Sequence, residues 1–353
     1  MTAWRDATRR VVLSFAGAGR SAGATSGARL RSFRTSGSWH APCFEPGQVG
    51  WEASWMRNGS TILIPVDFSG HSRAAARRGC EFAVASDATL HLVHARPPKP
   101  DDGSRAEEGA EDAGRDPASV RALAQLADEL APRGARLLVR LEQDEPVAMI
   151  RDWVAADRAD LVIVGAHDFD PPGRVFAGSV SERTLHACAA PLMIVKENEA
   201  EAGQPVRRIL FPTDFSDASH AALELAIEWA RLLEADIEVF HAVAEGRPAY
   251  ADQPEWTAAE LGMAGRRDRA LDRLQALLSR LRDRGVRAGA ELSYGPPSLE
   301  IVKRAQRSRA QVVVMGRCGR SAGSPGRFGG VAEQVLKHVK CSVLFGGRSP
   351  ASA

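Results

Sequence analysis

Two stretches of this chain, 61–95 and 208–242, align without a gap: TILIPVDFSGHSRAAARRGCEFAVASDATLHLVHA against RILFPTDFSDASHAALELAIEWARLLEADIEVFHA. Asp67 falls on Asp214 and His94 on His241, both at an offset of 147 residues. A second pair, DLVIVGAHDFDPPGRVFAGSVSERTLHACAAPLMIV and QVVVMGRCGRSAGSPGRFGGVAEQVLKHVKCSVLF, places Gly165 on Gly316 and Gly178 on Gly329 at an offset of 151. A repeat of roughly 140 residues is far too long for a solenoid unit and suits a whole domain. The chain therefore reads as a tandem duplication, with domains at 57–198 and 204–347, a tail at 348–353 and an N-terminal extension at 1–56.

Inside each copy, short apolar runs alternate with helical patterns. Ile62 to Val66 and Ile209 to Pro212 begin strands, and Ser69 and Ser216 stand where a helix N-cap belongs. Leu223, Ala226, Ile227, Ala230 and Leu233 recur at helical spacing and make one buried stripe. Strands TLHLVHA and IEVFHAV follow. Then come helices at about 118–131 and 266–284, and strands around 135–141 and 286–292. Unbroken runs such as LVIV and VVVM are what a parallel strand covered on both faces requires. Five strands alternating with four helices per copy give an α/β fold: two doubly wound, five-stranded parallel sheets of Rossmann-like type.

The balance of the chain narrows the function classes. Basic and acidic residues nearly cancel, 46 against 44, so no nucleic-acid-binding field is expected. No apolar run reaches the ~18–20 residues of a membrane span. The five cysteines, Cys43, Cys80, Cys188, Cys318 and Cys341, show neither a CxxC pair nor a disulfide-like spacing, which fits a reducing cytoplasm. Residues 1–55 are rich in Arg, Ser, Ala and Gly and poor in acids. That composition superficially matches an organelle transit peptide, but an upstream extension with no fold, ahead of a start at Met56, is the favoured reading.

On a doubly wound sheet, ligands sit outside the carboxyl ends of the strands where the strand order reverses. The loops after strands one and four carry Asp67 and Gly165 in the first copy, and Asp214 and Gly316 in the second. An aspartate there can accept from ribose hydroxyls or an adenine amino group. Glycines let backbone N–H groups approach phosphate oxygens at a helix N-terminus. PVDFS (65–69) and PTDFS (212–216), together with a glycine loop spaced G-x2-G-x9-G-(S/T), resemble the universal stress proteins that bind ATP. The first copy reads Gly165, Asp168, Gly178, Ser179; the second reads Gly316, Gly319, Gly329, Gly330. The resemblance implies an ATP or AMP site, ATP with Mg2+, an adenine-side contact at Ala95 and Ala242, and a fold related to adenine-nucleotide hydrolases. It also implies an intrachain pseudo-dimer through the last strands that can pair again into a homodimer.

Neither loop is complete. Asp168 puts a carboxylate where backbone should meet phosphate, whereas Gly330 only loses one hydroxyl, so the second copy is expected to hold the nucleotide. Arg317, Arg320 and Arg327 are within reach of a triphosphate in this reading. His94 and His241 read as packed, hydrogen-bonded strand residues rather than bases, and Glu182 and Glu333 as helix-dipole acids. A metabolic enzyme is disfavoured: no Walker loop, nucleophile elbow or kinase signature is present, and no metal-ligand spacing. The alternatives are an interaction protein of the same fold with empty pockets, and, further behind, a nucleotide hydrolase.

Overall fold

The computed structural model describes residues 13–16, 59–96, 117–166, 180–196, 199–243, 256–319 and 328–346. The first copy runs β2 (Thr61–Pro65), α1 (Gly70–Ser86), β3 (Thr89–Ala95), α2 (Pro117–Leu130), β4 (Arg136–Glu142), α3 (Pro146–Ala155), β5 (Leu161–Gly165), α4 (Val180–Ala187) and β6 (Leu192–Val195). After a short α5 (Glu199–Ala202), the second runs β7 (Arg208–Pro212), α6 (Asp217–Leu233), β8 (Asp236–Val243), α7 (Trp256–Asp283) and β9 (Ala288–Tyr294). It ends with α8 (Pro297–Ser308), β10 (Val312–Met315), α9 (Gly330–His338) and β11 (Ser342–Phe345). A four-residue strand β1 (Leu13–Ala16), within the stretch read from sequence as unfolded, pairs parallel with β4.

All these strands form one sheet in the order β1-β4-β3-β2-β5-β6-β11-β10-β7-β8-β9. Within each copy the strand order reverses beside the first strand: β2 pairs with both β3 and β5, and β7 with both β8 and β10. Loops leaving β2 and β5 therefore diverge to opposite faces, as do those leaving β7 and β10, and a crevice opens between each pair. Helices α1, α2, α6 and α7 cover one face and α3, α4, α8 and α9 the other, burying apolar side chains on both. This is why β5, β6, β10 and β11 carry no alternation: every one of LVIV, LMIV, VVVM and SVLF is buried.

The copies meet edge to edge. β6 and β11 pair antiparallel through Ile194–Val343, Met193–Leu344 and Leu192–Phe345, centred on two positions that correspond in the repeat. On one face Phe82 and Trp229, again corresponding positions, stack with ring centroids 4.1 Å apart. Buried Arg78 donates to the carbonyls of Gln204 (2.7 Å) and Glu201 (3.3 Å), while Glu81 accepts from the Val206 amide at 2.6 Å. These bonds fix the linker between the copies and satisfy main-chain groups taken out of water.

On the other face two cations cross the seam in opposite directions. Lys196 donates to the Leu336 and Val339 carbonyls at the end of α9 (2.7 and 2.5 Å); burial pushes its pKa down to about 8. Arg317 donates to Leu185 (3.1 Å), Cys188 (2.5 Å) and Ala190 (2.5 Å) at the end of α4. Each cation caps carbonyls left open at a helix C-terminus, where the dipole also favours positive charge.

Candidate functional site

In both copies the turn after the first strand is built by the same D-F-S-x-x-S chemistry. Ser216 donates to Asp214 Oδ1 through its amide (3.0 Å) and its hydroxyl (2.6 Å), then caps α6 by accepting from the Ser219 amide at 3.3 Å. Ser219 Oγ also donates to Asp214 Oδ1, at 2.7 Å. Asp67 accepts from the Ser69 amide (3.0 Å) and hydroxyl (2.6 Å) in the same manner, but the hydroxyl of Ser72 turns instead to the Ser69 carbonyl at 3.1 Å. The aspartate thus serves the turn as well as facing the crevice.

The turn forces Phe68 and Phe215 to positive φ, 66° and 58°, an uncommon conformation for a bulky side chain. Stacking on the strand-two histidines holds them there, with centroids 4.7 Å apart for Phe68 and His94 and 4.6 Å for Phe215 and His241. Each histidine donates from Nδ1 to the carbonyl just past the first strand, His94 to Val66 and His241 to Thr213, both at 2.7 Å. Both histidines are therefore packed, hydrogen-bonded supports of the turn, as their apolar strand setting in the sequence implies.

Around the second turn lies a cleft of about 950 Å3. Its floor is Asp214, Phe240, His241, Ala242, Met315 and Gly316. One wall is the remaining glycine loop and the start of α9 (Cys318, Gly319, Phe328, Gly329, Gly330, Glu333), and the opposite wall is Arg266, Arg269, Ala270 and Arg273 of α7. The structure brings together Asp214, Ala242, Gly316, Gly319, Gly329 and Gly330. Three of the glycines have distinct reasons. A Cβ on Gly316 would press on the Ala218 carbonyl at 3.0 Å, so this glycine lets β10 approach the first turn of α6. A Cβ on Gly319 would lie 2.7 Å from Asp214 Oδ2, so this one lets the loop close over the aspartate. Gly329 donates its amide to the Arg317 carbonyl at 2.8 Å, which holds the start of α9 beside the end of β10 and at the cleft.

Arg317 departs from the sequence expectation. Its side chain is committed to the end of α4 and to the Gly346 carbonyl (2.9 Å), so it faces the seam and not a triphosphate. Arg320 and Arg327 lie outside the described residues. The cations that do line the cleft, Arg266, Arg269 and Arg273, were missed in the sequence. The available signal was their spacing on the same register as the buried stripe Ala270, Leu274, Leu277 and Leu281. The sequence also starts α7 too late, at 266, because the apolar period begins only at Ala270; the helix itself begins at Trp256.

The corresponding pocket of the first copy is about 100 Å3. Asp67, Ala95 and Gly165 line it, with His71, Pro146 and Val180. Gly178, Ser179 and Asp168 lie outside the described residues, so the expected fault at Asp168 has no structural account here. Among the described residues one difference stands at the crevice. His71 corresponds to Ala218, and its imidazole stands where the second copy has a methyl group. Gly165 packs so closely on that residue that an added Cβ would meet the His71 backbone at 2.5 Å.

Among the described residues no group of three or more His, Cys, Asp or Glu is placed to hold a metal, and no helix is long and apolar enough to cross a membrane. None of Cys80, Cys188, Cys318 and Cys341 is in a disulfide; burial pushes Cys80 up to about 12 and raises Cys188, so neither of these two is a ready nucleophile.

Comparison with known proteins agrees with the geometry. A universal stress protein of Mycolicibacterium smegmatis is 26% identical over 293 residues, covering 80% of this chain and 95% of that one. One from Methanocaldococcus jannaschii is 30% identical over 138 residues, 39% of this chain and 80% of its own. Among solved structures, a universal stress protein from Archaeoglobus fulgidus superposes with a TM-score of 0.62 at 18% identity, over 82% of this chain and 98% of that chain, and so shares the fold. The universal stress protein family matches residues 60–196 and again 205–345, and the chain belongs to that family in both of its copies.

Proposed function

We propose that this protein is a stress-response regulator that binds an adenine nucleotide, ATP with its Mg2+ or AMP, in the cleft of the second copy, as a conformational ligand rather than a substrate turned over quickly. The observation that carries this reading is the loop-to-aspartate closure: Gly319 lies against Asp214 where any side chain would collide. Backbone amides and a carboxylate thus share one cleft of about 950 Å3, within the size range of small-molecule sites, roughly 300–1,000 Å3. Gly316, Gly319, Gly329 and Gly330 would present main-chain amides and the α9 dipole to phosphates. Asp214 and Ala242 would face the nucleoside.

The first copy supports a different role. A pocket of about 100 Å3 falls below that range, so Asp67, Ala95, Gly165, Gly178 and Ser179 are proposed as scaffold rather than as a second nucleotide site. The antiparallel β6–β11 pairing supports an intrachain pseudo-dimer in which the first copy buttresses the second. Pairing of two such chains, and a cytoplasmic setting, complete the reading.

The test is extraction of co-purified nucleotide from the native protein, followed by calorimetric titration with ATP–Mg. A nucleotide in the extract, or one binding event per chain, is expected. A clean extract with no heat of binding overturns the proposal and leaves the interaction-protein reading. Steady ADP release above background would overturn the non-catalytic part alone.

A further inference from the structure

We infer that Arg266, Arg269 and Arg273 form a polyphosphate clamp, so that the second cleft selects ligands by phosphate-chain length, preferring a nucleoside triphosphate to a monophosphate. The inference rests on the nucleotide reading above but adds residues and a selectivity that the glycine loop does not supply.

The three arginines project from one side of α7 and line the wall opposite the α9 N-terminus. Their side chains are exposed to the cleft and its mouth. Arg273 is held in place by lying over the Phe215 ring, 5.4 Å from its centroid, which sets it beside the Asp214 turn. The acids lining the same cleft are already engaged. Asp214 accepts from Ser216 and Ser219, and Glu333 pairs with Lys337 at 2.5 Å. A phosphate chain lying between the two walls would therefore meet backbone amides on one side and guanidinium groups on the other. The amides and helix dipole serve one or two phosphates at short range. Three cations along successive turns serve a longer chain, and each guanidinium can take a phosphate through two parallel N–H donors.

The first copy serves as an internal control. Leu123, Leu126 and Leu130 of α2 correspond to Leu274, Leu277 and Leu281 of α7 at the constant offset of 151, which puts Ala118 and Ala122 where Arg269 and Arg273 stand. Among the described residues no arginine lines the first pocket. Arg269 and Arg273 are thus particular to the second copy, whereas Arg266 falls on Arg115, which lies outside the described residues.

Calorimetric titration of the full-length protein and of the double variant Arg269→Gln/Arg273→Gln, with ATP, ADP, AMP and inorganic tripolyphosphate, separates the possibilities. Thermal unfolding of the variant checks that these exposed changes leave the fold intact. Charge-assisted bonds of this kind predict that the native protein binds ATP at least about tenfold more tightly than AMP, and that the variant brings the two within about threefold. Tripolyphosphate should bind the native chain and weaken in step with ATP in the variant. If AMP matches ATP in the native protein, or the variant keeps the gradation, the clamp is overturned while the nucleotide site stands. If tripolyphosphate binds through the arginines but no nucleotide does, the clamp stands and the adenine reading falls. Absence of binding by all four ligands overturns both.

Discussion

The two copies share a strand order, a D-F-S-x-x-S turn, a left-handed phenylalanine and a histidine that anchors it, yet one encloses about 950 Å3 and the other about 100 Å3. Among the described residues the copies differ in the wall helix, 14 residues in α2 against 28 in α7, and at a few positions around the crevice. His71 replaces Ala218 at the crevice, and Ala118 and Ala122 replace Arg269 and Arg273 on the wall. The duplicated architecture thus carries an open cleft in one copy and only a small pocket in the other. The seam between them uses both corresponding residues, as in Phe82 with Trp229, and unmatched ones, as in Lys196 and Arg317. Unmatched contacts allow the halves to diverge without losing their register.

The largest contrast is expected at the fourth-strand glycines. In Gly165→Ala the new methyl would meet the His71 backbone at 2.5 Å, and in Gly316→Ala it would meet Ala218 at 3.0 Å. Overpacking against backbone costs typically 1–3 kcal/mol, so the first change should destabilise by about 3 and the second by about 1. Denaturant unfolding of both variants measures this directly. Equal losses would show that the tighter packing of the first copy is not what closes its pocket.

Gly319→Asp comes next and acts on the ligand rather than on the fold. It sets a second carboxylate against Asp214 Oδ2, only 2.7 Å from the new Cβ. Repulsion and lost loop closure should weaken ATP binding at least about 100-fold, with little change in unfolding. If affinity survives, the nucleotide occupies some other site.

How much of this was legible beforehand follows from the physics of each feature. Periodicity and repetition are local in sequence, so the duplication, the parallel core strands, the Ser69 and Ser216 caps and the role of His94 and His241 could be read directly. Where Arg317 points could not. Its distance from phosphate depends on the seam, and the open carbonyls at the end of α4 compete for it. The α7 wall escaped because exposed arginines on a helix resemble an ordinary solvated face until the cleft beneath them is known. His71 escaped for a related reason: a histidine replacing an alanine looks tolerable until its neighbour is known to be the glycine that touches it.

The copies should also part company on acidification. His91 of the first copy is buried beside Trp153, 5.1 Å between centroids, with Arg140 and Arg158 over the same indole. Burial first, then the two arginines, push its pKa down to about 4. The corresponding positions of the second copy are Glu238, Glu291 and Arg304, and the arginine is ion-paired to both glutamates. A histidine whose folded pKa lies below its unfolded value of 6.5 favours the fold when neutral. Between pH 6.5 and 4 the unfolded chain binds a proton that the native one refuses, so stability falls as pH falls through that window. The loss is roughly 2–3 kcal/mol, and His91→Phe should abolish its pH dependence. Denaturant unfolding curves from pH 7 to 4, for the native chain and for His91→Phe, would show the loss. An unchanged slope in the variant would assign the acid lability elsewhere.

The smallest change tests whether the second site can be improved toward the pattern it lacks. Gly330 begins α9, and a Cβ there meets nothing within 4 Å; the cap before it, Gly329, offers no side-chain hydrogen bond. Gly330→Ser therefore fits without strain and adds the hydroxyl that Ser179 carries at the corresponding position. One net hydrogen bond to a phosphate, about 0.5–1.5 kcal/mol, should tighten ATP by roughly two- to tenfold. Removing a helical glycine should separately raise stability by up to about 1 kcal/mol. Measuring both quantities distinguishes the causes. A gain in stability with no gain in affinity would mean that the hydroxyl points away from the ligand.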